Sequence, residues 1–249
     1  MREKVVFCWS GGKDSALALN RILRDRRYEV VSLLTTCNEH FQRVSMHGVR
    51  VELLDAQVEA IGLPVDKVFV SQRSSNEEYE QKMSACLSAH KERGVTSCVF
   101  GDIFLEDLKA WREGNLAKVG LQGIFPLWKI DTRELIQEFL DLGFGTVLCC
   151  VNDAYLGEEA VGRVLDADFL RTLPPEVDPC GENGEFHSFA FAGPVFKHPV
   201  KYTLGEKVYR PLEVTPPPAT TSTTATTYVC PSSGPRQTKG FWFCDLLPA

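Results

Sequence analysis

A glycine-containing loop near the amino terminus constrains the fold of this 249-residue chain more than any other feature. Residues 10–15 read SGGKDS, directly after an apolar run at 5–9 and directly before a helical pattern at 15–23. A short uninterrupted apolar run is typical of a strand that is buried on both faces of a parallel sheet. We therefore predict a strand, a sharp turn and a helix, with the turn at the carboxyl end of the strand.

The loop has the chemistry of a phosphate-binding site. Its two adjacent glycines allow the backbone to turn with its N–H groups facing inward, and the helix adds unpaired N–H groups and a positive dipole end. Lys13 adds positive charge, the serines offer hydroxyl groups, and Asp14 suits a Mg²⁺ ligand or an orienting role. The spacing is neither Walker A nor GxGxxG, and the alternative is an ordinary capped turn. The candidate residues are Ser10, Gly11, Gly12, Lys13, Asp14 and Ser15.

Strand and helix patterns alternate through the first two-thirds of the chain. Strands are predicted at 5–9, 30–34, 67–70, 98–102 and 146–151, and helices at 15–23, 49–61, 76–94, 105–118 and 132–142. This alternation predicts an α/β fold in which helices flank a parallel sheet. Because open sheets of this type bind ligands beyond the carboxyl ends of their strands, Gly101 and Asp102 are candidate site residues.

The texture of the chain changes past about residue 170. Prolines cluster, helical periodicity fades, and 186–191 and 241–244 have strand character. We predict a nucleotide-binding domain at 1–130 and a smaller, β-containing substrate domain at 131–249. The second domain would include a flexible Pro/Thr-rich loop near 214–238.

A second polar motif, DPCGENGEFHS, occupies residues 178–188. Its carboxylates could hold Mg²⁺, and Asn183 and His187 could orient a substrate carboxyl group or bind ammonium. The alternative is a surface turn that leads into a strand. A Cys/His zinc site is disfavoured at this motif because no second Cys/His pair lies beside it.

The two motifs together resemble a known family. SGGKDS resembles the pyrophosphate loop of the N-type ATP pyrophosphatases, which have a HUP-like sheet. DPCGENGEFHS narrows the resemblance to the diphthine–ammonia ligase (ATP-binding domain 4) family, as do 45–48, 101–103, 126–128 and 241–248. The resemblance implies use of ATP and Mg²⁺, adenylation of a carboxylate, and its amidation by ammonia with release of AMP and pyrophosphate.

The resemblance and the residue chemistry together give the expected site. The expected catalytic residues are Lys13, Asp14, Glu182, Glu185 and His187. Outside the loop, the expected nucleotide-binding residues are Thr35, Thr36, His47, Gly101 and Asp102. The expected substrate-binding residues are Arg112, Cys180, Gly181, Glu182, Asn183 and Glu185. For His47 the alternative is a capping or core role, and for Arg112 it is an exposed helix position.

Two departures from the family pattern bear on the substrate. Residues 192–194 read AGP where many relatives have DGP, and no RidA-like domains follow, so we expect a short bacterial relative. Diphthamide could not be the product in a bacterium, and the acceptor is therefore left open between a protein side chain and a small metabolite. Free ammonium is the expected nitrogen source, because no glutaminase domain is visible.

Composition excludes several other classes of protein. The net charge of −6, from 27 basic and 33 acidic residues, gives no general attraction to nucleic acid or to an anionic membrane. Charged residues interrupt every apolar run, which excludes a membrane span. The nine cysteines are scattered and indicate reduced thiols in a cytoplasmic protein. The protein could form a homodimer. The alternative functions are a nucleotide sensor or nucleotidase and a tRNA sulfur transferase. A non-catalytic scaffold would not need to keep Lys13 and Asp14.

Overall fold

The structure, a computed structural model, describes residues 2–45, 47–71, 76–212 and 237–249. Most of the predicted Pro/Thr-rich loop lies outside these residues. The strands are β1 (Glu3–Cys8), β2 (Tyr28–Asn38), β3 (Arg43–Val44), β4 (Val65–Val70), β5 (Ser97–Val99), β6 (Gln122–Ile124), β7 (Gly145–Asn152), β8 (Phe186–Ala192), β9 (Tyr202–Pro211) and β10 (Gly240–Pro248). The helices are α1 (Lys13–Arg24), α2 (Val51–Ile61), α3 (Asn76–Glu92), α4 (Glu106–Val119), α5 (Thr132–Asp141) and α6 (Ala167–Thr172).

The first sheet has six strands and is parallel except at β3. The central strand β1 pairs in parallel with β2 on one side and with β5 on the other, and β6 extends the β5 side. β2 pairs with β1 as far as Leu34 and then with the short antiparallel β3, while its other edge pairs with β4. Thr35 and Thr36 of β2 therefore lie between its last pair with β1 and its first pair with β3. This edge of β2 has no strand partner at the two threonines, which leaves a gap in the sheet beside the carboxyl end of β1.

The second sheet is antiparallel, with the strand order β8-β7-β10-β9. The first sheet lies within 3–124 and the second within 145–248, yet both contribute to one hydrophobic core. Phe7 of β1, Val147 of β7 and Phe189 of β8 are fully buried in that cluster. Val6, which points to the opposite face of β1, belongs to a second cluster with residues of α3 and α4. Burial on both faces explains the continuous apolar run that predicts β1.

The predicted α/β class is confirmed, with a mostly parallel sheet flanked by helices and a second antiparallel sheet. Four elements are absent from the sequence prediction: β3, β6, α6 and β9. The first three are short, and β9 is exposed along most of its length, so it has no alternation of buried and exposed positions. The boundary at 130/131 stays a prediction. No helix among the described residues is long and apolar enough to cross a membrane.

Candidate functional site

A cavity of about 500 Å³ opens beyond the carboxyl ends of β1 and β5. Its walls come from the glycine loop, the middle of β2, the segment that follows β5, helices α3 and α4, and the residues around 180–188. Strand β1 is followed in the chain by β2, its neighbour on one side, whereas its neighbour on the other side is the later strand β5. The strand order therefore reverses at β1, and the cavity lies at this topological switch point of the sheet. Its volume is in the range of small-molecule sites.

The glycine loop is held in place by strand β8. Gly11, whose φ is 81°, accepts a hydrogen bond at its carbonyl oxygen from Ala190 N at 2.8 Å. Lys13 N donates to Ser188 Oγ at 3.2 Å. Because Ser188 and Ala190 belong to the second sheet, the conformation of the loop depends on contacts between the two sheets.

Gln57 of α2 supports the same loop from below. Its side chain is 1% exposed, and its Nε2 donates to Gly11 O at 2.9 Å and to Ala190 O at 2.7 Å. Its Oε1 accepts from Trp9 Nε1 at 3.0 Å. Sequence reasoning missed this residue, and the only available signal was a glutamine on the buried face of an amphipathic helix.

The second glycine of the loop lies against a histidine. A Cβ atom on Gly12 would be 2.7 Å from His47 Cε1 and 3.1 Å from Ser188 O, so a side chain cannot be accommodated without movement. Ser15 Oγ donates to Gly12 O at 2.9 Å, and Ser10 Oγ donates to Ser15 Oγ at 3.1 Å. The two serine hydroxyls therefore bond within the loop.

Lys13 and Asp14 form an ion pair at the floor of the cavity. Lys13 Nζ donates to both carboxylate oxygens of Asp14 at 2.7 Å, although only 3% of the lysine is exposed. Burial lowers the pKa of Lys13, but the opposing effect of Asp14 and the nearby Cys180 leaves this pKa above its ordinary value. The loop therefore presents a buried, protonated amine.

A second ion pair lies on the opposite wall. Arg112 donates to Asp102 through Nε at 2.6 Å and through one terminal nitrogen at 3.2 Å. Its guanidinium lies 4.4 Å from the ring centre of Phe100. Burial lowers the pKa of Arg112, but Asp102 opposes burial and the net pKa is raised. Gly101 brings this wall close to α1, because a Cβ there would be 3.0 Å from the backbone of Asp14.

Glu182 is the carboxyl group of the 178–188 segment that lines the cavity. Its Oε1 accepts from Ile103 N at 2.9 Å. Burial, with a further contribution from the charge of Asp14, raises the pKa of Glu182 to about 8. At pH 7 the carboxyl group is therefore about nine-tenths protonated, and its pKa is near enough to neutral pH for the ionised fraction to act in proton transfer.

Other residues of the segment shape the loop. Glu185, 1% exposed, accepts from Asp178 N at 3.0 Å, from Asn183 N at 2.9 Å and from Asn183 Nδ2 at 3.2 Å. Cys180 Sγ donates to Thr132 O at 3.3 Å, and burial raises the pKa of this thiol far above its ordinary value. The thiol is therefore protonated at neutral pH.

Two neutral histidines lie side by side next to the loop. The ring centres of His47 and His187 are 4.9 Å apart, and His47 Nδ1 is 3.1 Å from Ser188 O. Burial lowers the pKa of His47 to about 4 and that of His187 to about 3. Because the Ser188 carbonyl can only accept, Nδ1 of His47 carries the proton.

The structure brings most of the expected site residues together around one cavity. These are Ser10, Lys13, Asp14, Ser15, Thr35, Thr36, His47, Gly101, Asp102, Arg112, Cys180, Gly181, Glu182 and His187. The other four, Gly11, Gly12, Asn183 and Glu185, do not line the cavity. Sequence reasoning missed an apolar wall from α3 and α4, where a helical stripe reads equally well as core: Tyr79, Met83, Leu108 and Trp111.

Two family models match the chain: the Diphthamide synthase N-terminal domain over residues 3–123 and the Diphthamide synthase C-terminal domain over 131–212. The chain belongs to the diphthamide synthase family. This membership confirms the resemblance stated from the two motifs, while a bacterial origin stays a prediction.

Curated relatives carry the name diphthine–ammonia ligase. Those from Schizosaccharomyces pombe and Danio rerio are 25% and 24% identical to this chain, each over 82% of it. The match spans 37% of the S. pombe protein and 88% of the D. rerio protein. These relatives support an ATP-dependent ligase enzyme. A solved U34-tRNA thiolase, NcsA from Methanococcus maripaludis, is 17% identical over 57% of this chain and 58% of its own, with a TM-score of 0.36, too low to bear on function.

Proposed function

We propose that this protein is a carboxylate–ammonia ligase of the diphthine–ammonia ligase type, which adenylates a carboxylate and lets ammonia displace AMP. The observation that carries the proposal is the convergence of the glycine loop and the 178–188 segment on one cavity. The first element comes from the N-terminal family match and the second from the C-terminal match. A phosphate-binding loop and a proton-transfer group thus face the same space.

The nucleotide would bind at the loop end of the cavity. The inward-facing loop backbone and the buried Lys13 suit the phosphates of ATP. Both cavity cations, Lys13 and Arg112, are already paired with carboxylates, so they do not offset the several negative charges of ATP. The carboxylate of Asp14 at this end is a ligand type that fits Mg²⁺, and Asp14 would hold the ion. A bound Mg²⁺ would offset the charge on the phosphates.

The acceptor and ammonia would meet at the other end, beside Glu182 and His187. Neutral imidazoles accept hydrogen bonds from ammonium or ammonia, and a carboxylate with a pKa of about 8 can take a proton from the attacking nitrogen. The nitrogen lone pair would form the C–N bond as the C–O bond to AMP breaks. Glu182 would receive the proton that the nitrogen loses.

Isotope tracing tests this proposal directly. The protein is incubated with MgATP, ¹⁵N-ammonium and an acceptor, first diphthine-containing elongation factor 2 and then an extract of the source cells. With ¹⁸O in the acceptor carboxylate, we expect one ¹⁸O in AMP, ¹⁵N in the product amide, and pyrophosphate in equal amount. Label in AMP reports adenylation, and label in the amide reports ligation.

Two variants provide the comparison. Lys13→Met should abolish both label transfers, whereas Lys118→Met, at an exposed ion pair far along α4, should leave them unchanged. AMP that forms without ammonium and carries no ¹⁸O would refute ligation and favour a nucleotidase, and sulfur incorporation instead of nitrogen would favour a sulfur transferase.

A further inference from the structure

Three metal-ligating side chains converge away from the cavity, between β4 and α3. Asp66 lies near the start of β4, and Cys86 and His90 lie one helical turn apart on α3. One ligand atom from each lies within 4.8 Å of the other two. None of the three lines the proposed ligase site.

The three donors have the types and spacing that Zn²⁺ takes. Zinc prefers thiolate, imidazole and carboxylate ligands in a tetrahedral arrangement, in which ligand atoms lie about 3.5 Å apart. His90 Nε2 already lies 2.9 Å from Asp66 Oδ2. Side-chain rotations that move the ligand atoms by about 1 Å would complete a tetrahedral set. Residues at i and i+4 on a helix share one face, so Cys86 and His90 need no backbone change.

The surroundings suit a bound ion with an open fourth position. His90 is buried, whereas 41% of the Asp66 side chain is exposed, which gives a water ligand and an incoming ion access from solvent. Ser32 Oγ donates to Asp66 Oδ2 at 2.6 Å and would orient the carboxylate from behind. Such hydrogen bonds to a ligating carboxylate are a usual part of metal sites.

We propose that Asp66, Cys86 and His90 bind one Zn²⁺ ion, with water as the fourth ligand. The Cys86 thiol proton passes to solvent as the Zn–S bond forms. The ion joins the carboxyl-terminal half of α3 to β4. Tyr79 and Met83 of the same helix line the proposed ligase cavity. By holding α3 against β4, the ion would therefore also fix the position of this part of the cavity wall. Its role is structural and separate from the proposed ligase chemistry.

Metal titration of the reduced full-length protein tests the site without measuring turnover. Co²⁺ should bind with a stoichiometry of one, giving a thiolate-to-cobalt charge-transfer band and tetrahedral d–d bands, and one equivalent of Zn²⁺ should displace it. At a 100-fold excess of Zn²⁺ over its dissociation constant, the melting temperature should rise by about 5 °C or more.

Matched variants assign the ligands. Cys86→Ser should remove the charge-transfer band and weaken Zn²⁺ binding by about 10-fold or more, whereas Cys37→Ser, at another buried cysteine, should retain both. His90→Gln should likewise weaken Zn²⁺ binding, and His198→Gln, at an exposed histidine, is its control. If Cys86→Ser does not fold, the partly exposed Asp66→Asn provides the second variant. Absence of the band in the wild-type protein, or its persistence in Cys86→Ser, would overturn the proposal and leave a hydrogen-bonded Asp66–His90 pair without metal.

Discussion

Replacing Gln57 with leucine should destabilise the protein and loosen the nucleotide loop at the same time. The side chain is buried, and it bonds Trp9 on one side and both Gly11 and Ala190 on the other. Leucine has a similar volume but no polar atoms. The substitution therefore removes three hydrogen bonds with little change in packing volume.

The expected size of the effect follows from the groups that lose their partner. Gly11 O keeps its bond from Ala190 N at 2.8 Å, so its loss is small. The Trp9 indole N–H and the Ala190 carbonyl lose Gln57 in a buried environment, where each orphaned group costs about 1–3 kcal/mol. We therefore expect Gln57→Leu to lower the free energy of unfolding by about 4 kcal/mol. ATP affinity should fall as well, because Gly11 loses one of its two anchors.

Urea unfolding of the two proteins, followed by far-UV circular dichroism, measures the difference if the m-value is unchanged. Gln137→Leu is the control, because Gln137 is exposed on α5 and bonds only within its helix to Asp141 among the described residues. That variant should stay within about 0.5 kcal/mol of wild type. A loss below about 1 kcal/mol in Gln57→Leu would refute the role assigned to this side chain.

Three further predictions follow from the cavity. Lys13→Met should lower the rate of AMP formation by about 100-fold or more, with Lys118→Met unchanged in the same assay. Burial raises the pKa of Glu182 from 4.5 to about 8, so the folded state binds the proton more tightly than the unfolded state does. The stability that this bound proton contributes is therefore lost as pH rises from 4.5 to about 8. Over that range the unfolding free energy of wild type should fall relative to that of Glu182→Gln. Gly12→Ala should reduce kcat/KM by about 100-fold, because its Cβ meets a histidine ring. Gly114→Ala, in open space on α4, should instead stabilise the protein by about 0.5–1 kcal/mol in thermal unfolding.

Local sequence carried the prediction of the loop and of the order of elements. The strand, glycine pair and helix of the loop are contiguous, so their chemistry is readable within fifteen residues. The same holds for Glu182 and His187, which lie in one short motif. Asp102 and Arg112 were expected separately, and their pairing depends on how α4 packs against the end of β5.

Long-range partners explain what the sequence could not reveal. Gln57 bonds residues that are 46 and 133 positions away, and its place on the buried face of α2 does not show which groups it bonds. Ser188 is equally ordinary until β8 brings it against Lys13. The apolar cavity wall of α3 and α4 was readable as helical stripes, but a stripe does not show whether it faces core or cavity.

The anchoring of Gly11 by Ala190 limits how this enzyme could be divided or recombined. An isolated fragment comprising 3–124 would keep every strand of the parallel sheet but would lack the Ala190 N–H that fixes the loop. Exchange of the C-terminal portion between relatives would therefore require the register of β8 to be preserved, even where the acceptor changes. Substitutions elsewhere in the second sheet would leave the loop anchored as long as Ser188 and Ala190 keep their positions beside it.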